Sequence, residues 1–314
     1  MSGVPADATS APPPAVSAAA PLCETHLHVV VRAGGVAWRP PGACQSEISF
    51  SARDRSFDAR FRGPRRGSSV PPAGWTTHFA HGPQSGPRAW DSRTLPGNHE
   101  QQIYVDPGFA GTGAAPLGLS PFLTDRHGLR ILARPTPREF RTRLWDYRYV
   151  SGLITSRDSF AQRYGYFEVR ARLPAGRGLW PAVWLLPSAG GWPPELDLLE
   201  QTGGETIYQT AHTAASGRPS ELDFTTRVRG AASGLHTYGV LWTPERLVWF
   251  VDRRQTAAAA TPADMDQPMY LLINLAVGGD FAGSPSRTIR WPARFRIARV
   301  SAYRWPPEPV AETR

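Results

Sequence analysis

The amino-acid sequence predicts an all-β protein, an antiparallel β-sandwich, and three observations carry that reading. Short segments of β-type composition recur through most of the chain, with Gly, Pro, Asp or Ser in most of the gaps. Pro (32) and Gly (30) are both abundant, which disfavours long helices. No amphipathic helix of usable length and no internal repeat lies between the segments. Roughly ten strands without helical crossovers cannot build a parallel α/β sheet.

Taken in chain order, residues 1–21 are rich in Ala, Pro and Ser and are expected to be a disordered tail. They lack a basic n-region and a sustained apolar h-region, so they do not read as a conventional signal peptide. Residues 22–55 read as an extension of unknown role, holding one strand in "HLHVVVRA" and then a proline-interrupted stretch. His26 and His28 flank Leu27 on one strand face, but no third ligand is near, and a surface role is expected instead of a metal. Cys23 and Cys44 would suffice for one bridge in an oxidising compartment; whether they pair is open. The sandwich is expected over 56–308, with a short tail at 309–314. Its strands fall at "SFDARFRG", "HGLRILARP", "YVSGLITS", "YGYFEVRARLP", "LWPAVWLLP", "PELDLLEQT", "TIYQTAHTA", "HTYGVLWT", "RLVWFVDRR", "PMYLLINLAV" and "FRIARVSAYRW". Many are apolar on both faces, as expected where one face packs on a second sheet and the other lines a groove.

Composition narrows the partners. The 11 Trp, 13 Phe and 9 Tyr imply a large β core or an aromatic-lined binding groove. The net charge is +9, and every one of the 35 basic residues is arginine. That bias reads mainly as coding bias of a GC-rich genome, and secondly as attraction to an acidic polymer. The arginines are scattered and no nucleic-acid motif is present, so nucleic acid is not an expected partner. No apolar run reaches membrane-spanning length.

The stretch "WPPELDLLEQT" carries the chemistry. On a strand, Glu195 and Asp197 share a face, whereas strict alternation would put Leu199 beside them and bury Glu200. A charged Glu among packed leucines is very costly. A β-bulge at Leu198–Leu199 removes the conflict by returning Glu200 to the acid face. The two Glu Cα atoms then lie about 13 Å apart, and side chains leaning inward bring the carboxyls to about 5 Å. Retaining glycosidases hold their carboxyl pair at about 5–5.5 Å. Asp197 between them can hydrogen-bond a neighbour and keep one Glu ionised while the other stays protonated. The bland alternative is a solvent-facing strand or a calcium site. Trp180, Trp184 and Trp192 all precede the first Glu within a short span, and Trp rings stack on the apolar faces of sugars; Trp184 also fits a core position.

The segment "YGYFEVRARLPAGRGLWPAVWLLP…WPPELDLLEQTGG" resembles glycoside hydrolase family 16, in its laminarinase-like branch with a bulged E-x-D-x-x-E. "SFDARFRG", "GNHEQQIYVDP", "HTYGVLWTPERLVWFVD" and "QPMYLLINLAVGG" extend the likeness over roughly 56–305. The resemblance implies a β-jelly roll with a concave substrate cleft and retaining hydrolysis of β-glycans. It makes Glu195 the nucleophile, Glu200 the acid/base and Asp197 the assisting carboxylate; the order of the two glutamates rests on it alone. It also implies that Glu168, Arg170 and His212 face the cleft, with Asn98 and Asn274 as further sugar-binding positions. Two departures stand out. Pro194 occupies a position where the family often has Gly, and Ala298 stands where many members place a calcium-binding Asp in the last strand. No cofactor is expected, and a structural calcium is in doubt.

These expectations point to an endo-acting β-1,3 or mixed β-1,3/1,4 glucanase, expected as a monomer, with the resemblance favouring an extracellular or periplasmic site. An acidic, succinoglycan-type exopolysaccharide as substrate, transglycosylation, and a non-catalytic carbohydrate-binding role are the alternatives.

Overall fold

Alternation decides which face each strand buries. In Leu179–Pro187, Leu179, Val183 and Leu185 enter one apolar core while Ala182 and Trp184 join another on the opposite side. The computed structural model describes residues 29–32, 35–38, 48, 50–63, 68 and 71–305. His26, His28, Cys23, Cys44 and the two tails lie outside the described residues. Val29–Arg32 and Gly35–Trp38 pair as an antiparallel hairpin, giving the extension a second strand beyond the one expected.

Two large sheets form the sandwich. One has six strands in the order Ser220–Arg227, Thr206–Thr213, Glu195–Glu200, Leu179–Pro187, Met269–Val277, Leu153–Thr155. The other has ten; its central strands are His236–Trp242, Gly165–Arg172, Ala293–Tyr303 and Gly128–Pro135. Among the described residues every strand pair is antiparallel except Gln102–Tyr104 with Tyr149–Ser151. Five short 3-10 turns are the only helical segments there. The antiparallel sandwich is therefore as the sequence predicts.

Besides Gly35–Trp38, four strands of the sandwich went unpredicted. Ser220–Arg227 is an edge strand with only two large apolar residues, Leu222 and Phe224, which pack partly buried against the core. Arg254–Ala260 ends in four alanines, a composition that does not signal a strand. Gln102–Tyr104 and Phe122–Asp125 are too short to show a period.

Between the sheets, Leu196, Leu198, Leu199 and Ile273 pack with Phe167, Val169, Trp242, Trp249 and Phe295, all fully buried. Each such side chain contributes about 1.5–3 kcal/mol relative to exposure. The outer face of the ten-stranded sheet carries a smaller apolar patch of Tyr166, Leu241, Val248 and Phe250. Ile48 and Phe50 cover it, with the Phe50 ring stacked 4.6 Å from Tyr166, so the end of the N-terminal extension helps to seal the back of the sandwich.

Candidate active site

The free face of the six-stranded sheet floors a cleft of about 860 Å³. Glu195, Glu200, Trp180, Trp184, Trp192, His212, Asn98 and Asn274 all line it. The register explains how one six-residue strand supplies the acids. Opposite Leu179–Pro187, Leu185 pairs with Leu196 and Trp184 with Asp197, but Val183 pairs with Leu199 and Ala182 with Glu200. Leu198 is the extra residue, and it joins Leu196 and Leu199 in the core. The bulge thus returns Glu200 to the face of Glu195 and Asp197, as the acid pattern requires. The indole of Trp249, reaching across from the other sheet, donates to the Asp197 carbonyl at 2.8 Å and pins the irregular backbone.

Pro194 fits this arrangement without strain on the ladder. It is buried immediately before the first strand residue, where a missing N–H removes no sheet hydrogen bond. The Trp192–Pro193 and Pro193–Pro194 peptide bonds are both cis.

Each carboxylate has its own surroundings. Trp192 donates its indole N–H to Glu195 Oε2 at 2.7 Å, and Trp180 donates to Glu200 Oε1 at 2.8 Å. Asp197 is 1% exposed, and its Oδ2 lies 3.5 Å from His212 Nε2 with no hydrogen-bond partner. His212 Nδ1 faces Glu221 at 3.4 Å, so the ring sits between two acids. Burial pushes the Glu195 carboxyl well above the usual range, and repulsion from Asp197 adds to it. Asp197 is driven the same way by burial and by Glu200. Glu200 is pushed up to about 7 by burial, while the Trp180 hydrogen bond and His212 oppose the shift. Glu195, Asp197 and His212 bring one ligand atom each within 4.8 Å of one another. Within this group Glu195 Oε2 accepts the Trp192 indole N–H, and His212 Nε2 lies 3.5 Å from Asp197 Oδ2.

The wall is built from the cleft-facing side of neighbouring strands. Trp184 Nε1 donates to Asn274 Oδ1 at 2.7 Å, and Asn274 Nδ2 donates to the Tyr104 hydroxyl at 2.9 Å. This chain fixes a mostly buried Trp184 against Phe79. Trp192, 59% exposed, overhangs the opening. Phe281 packs edge-on against both Trp180 and Tyr208. Asn98 closes the short turn Pro96–Asn98, and its carbonyl accepts the Asp280 N–H at 3.0 Å.

Two expected cleft residues are elsewhere. Glu168 and Arg170 belong to Gly165–Arg172 in the ten-stranded sheet, where Phe167, Val169 and Ala171 take the core side. Alternation sends Glu168 and Arg170 to the outer face, across the sandwich from the cleft. Glu168 forms a two-pronged ion pair with Arg253 at 2.9 and 3.2 Å, not with Arg170, which is exposed. The position expected to hold a calcium carboxylate is Ala298, at the register shift between Ile297 and Arg299. It offers no side-chain oxygen and its neighbours Arg296 and Arg299 are cationic, so these residues do not suit a cation.

Three acids of the cleft lining, Glu100, Glu221 and Asp223, were missed. Glu100, within "GNHEQQIYVDP", lines the cleft yet is 7% exposed. Its Oε2 accepts from the Leu95 N–H at 3.3 Å and from Gln102 Nε2 at 2.5 Å. Burial pushes its carboxyl up to about 7. An isolated Glu between polar neighbours carries no burial signal, which comes from the pairing of Glu100 with Gly278.

A two-sheet jelly roll with a carboxylate trio on the floor of a tryptophan-walled cleft defines a protein of the laminarinase structural class. The laminarinase of Rhodothermus marinus superposes with a TM-score of 0.64 and 28% identity, covering 80% of this chain and 97% of that one. The model of glycosyl hydrolases family 16 matches residues 133–293. A beta-glucanase of Rhodothermus marinus is 32% identical over 261 residues, 74% of this chain and 84% of the relative. The endo-1,3-1,4-beta-glycanase ExsH of Rhizobium meliloti (strain 1021) is 41% identical over 231 residues, 73% of this chain but 47% of its own length. The chain thus spans about half the length of that rhizobial relative. This protein belongs to glycosyl hydrolases family 16.

Proposed function

We propose that this protein is an endo-acting, retaining glycoside hydrolase that cleaves β-1,3 or mixed β-1,3/1,4 glucan by double displacement. The observation that carries the reading is the trio Glu195, Asp197 and Glu200, aligned on one face by a single bulged residue and capped by two indole donors. The relatives' printed names, an endo-1,3-1,4-beta-glycanase and a beta-glucanase, support the substrate class.

The family resemblance orders the two glutamates, since each accepts one indole N–H and burial raises both. Three neighbouring carboxyls cannot all ionise, and Asp197 is the most buried and has an unsatisfied oxygen. It is the group that holds a proton, and that proton serves Glu195. Glu195 is more exposed and receives the Trp192 hydrogen bond, which favours its anionic form. It attacks the anomeric carbon. Glu200, held to about 7 by burial, is still substantially protonated at neutral pH and donates to the departing oxygen. Deprotonated, it activates the water that releases the glycosyl-enzyme. Trp192 and Trp180 supply flat apolar surfaces for sugar rings, and the open cleft admits a chain along its length, which favours internal cleavage. Every group named lies on one chain, so a monomer suffices.

Incubation with laminarin and lichenan, with the first-formed anomer followed by proton NMR, tests this reading. The expected result is a falling polymer length with β-configured reducing ends. Release of α-configured ends, or no cleavage of either glucan, would overturn it.

A further inference from the structure

The outer face of the ten-stranded sheet holds a charge pattern that the cleft does not explain. In its central strands, Leu129, Ile131, Val169, Ala171, Phe295 and Ile297 occupy the core side. Alternation therefore turns Arg130, Arg170, Arg172, Arg294 and Arg296 outward. The register sets them directly against one another. Arg296 lies opposite Arg172 on one neighbouring strand and opposite Arg130 on the other, and Arg299 lies opposite Arg170. Like charges directly opposite across strands are destabilising, so this arrangement costs stability in the isolated protein.

Nearby acids do not balance it. Asp125 is engaged by Arg130, Asp58 by Arg299, Arg55 and Arg60, and Glu168 by Arg253. Arg296 turns to the His127 carbonyl, at 3.1 and 3.3 Å. Among the described residues, Arg170, Arg172 and Arg294 have no carboxylate within ion-pair distance, and Arg170 and Arg294 are exposed. The cleft on the other side is lined by Glu100, Glu195, Glu200, Glu221 and Asp223, so the molecule is polar in the electrostatic sense, acidic in front and basic behind.

We propose that this arginine face is a second glycan-binding surface, which takes a linear polysaccharide bearing carboxylates. The Cα atoms of these arginines, on three adjacent strands, lie about 5 Å apart across the strands and about 7 Å along them and form a grid. Each presents a planar fork suited to carboxylate. A flexible polyanionic chain can lie on such a grid at many points. The grid includes no aromatic residue for base stacking, which single-stranded nucleic acid uses. Its one apolar member, Leu132, is too little to anchor a membrane. Binding here would hold the protein on an acidic polymer while the cleft stays free. The proposal does not depend on the catalytic reading.

Polygalacturonate, with a carboxylate on every sugar, is the probe, and its binding to the whole chain is measured by calorimetry at low and raised salt. Saturable binding is expected, weakening steeply as salt rises, and unaffected by laminari-oligosaccharides. Arg170→Ser, Arg172→Ser and Arg296→Ser combined should weaken it at least ~10-fold, and thermal melting should show that variant folded and no less stable. The single change Arg172→Ser, a smaller perturbation, should weaken it a few-fold. No saturable binding at low salt, undiminished binding by the variants, competition by laminari-oligosaccharides, or tighter binding of duplex DNA or anionic vesicles would each overturn the proposal.

Discussion

The indole N–H of Trp180 meets Glu200 Oε1 at 2.8 Å from the neighbouring strand of the same sheet. Burial raises the Glu200 carboxyl to about 7 and this hydrogen bond, which favours the anion, limits the rise. As the general acid, Glu200 must be protonated, so kcat/KM should fall as pH increases through about 7. Trp180→Phe keeps the ring and removes the donor. The basic limb of the pH–rate profile should move to higher pH, with activity at neutral pH reduced by about 10-fold because the Glu200 carboxyl loses the hydrogen bond that holds it in place. An unmoved limb would separate Glu200 from the acid role.

Asp197 costs the fold stability that its chemistry requires. Its pKa lies above the unfolded value, so its contribution is complete below about pH 4 and is lost as pH rises through the folded value. Asp197→Asn never ionises, and the Trp249 bond to its backbone carbonyl is retained. Melting temperature at pH 8 should exceed that of the parent by a few degrees, with the gap closing near pH 4. Turnover should drop by roughly 10–100-fold, because Glu195 loses the partner that sets its charge. A variant both less stable at pH 8 and fully active contradicts this account.

Glu168 was expected in the cleft and is instead the partner of Arg253 on the back of the sandwich. Glu168→Ala should leave KM and kcat on glucan near their parental values. The half-exposed Arg253 can be solvated when unpaired, so the stability loss should be about 1–3 kcal/mol, read from urea unfolding. A rise in KM with unchanged stability would return Glu168 to the substrate.

Trp192 combines an exposed ring with a donor to Glu195. Trp192→Phe should spare KM and lower kcat, since the stacking face survives and the N–H does not. Trp192→Ala should also raise KM by about 10-fold, in line with the loss of an aromatic anchor. A Trp192→Phe variant with parental kcat would deny the N–H any part, and equal KM in the two variants would deny the ring its own.

The contrast between Glu200 and Glu168 marks what was legible. Glu200 was readable because its conflict with alternation has one cheap resolution, an extra residue among buried leucines, and that local demand is independent of the rest of the fold. Glu168 alternates as regularly as any cleft residue would. Which sheet its strand joins depends on pairing with His236–Trp242 and Ala293–Tyr303, far along the chain, and local periodicity carries none of that. The same limit hid Ser220–Arg227, the strand that brings Glu221 to His212. The longer strands with a strongly apolar core-facing side were legible, because burial writes its period into their sequence.

Glu100 gives the last test, since it is buried beside the cleft and outside the trio. Its carboxyl is raised from 4.5 to about 7 by burial, against the hydrogen bonds from Gln102 and Leu95. The folded value is above the unfolded one, so its contribution to stability is present below about pH 4.5 and lost as pH rises through about 7. Glu100→Gln preserves shape and one acceptor oxygen for Leu95 and Gln102, and removes the titration. The fall in melting temperature from pH 5 to pH 8 should become shallower, by up to about 3 kcal/mol in stability. A second readout distinguishes it from a purely structural effect. The Glu100 charge helps to raise Glu200, so neutralising it should shift the basic limb of kcat/KM to lower pH, opposite to Trp180→Phe. Parallel melting curves for parent and variant, or a limb that shifts upward, would refute the ionisation of Glu100 as a force on either the fold or the acid.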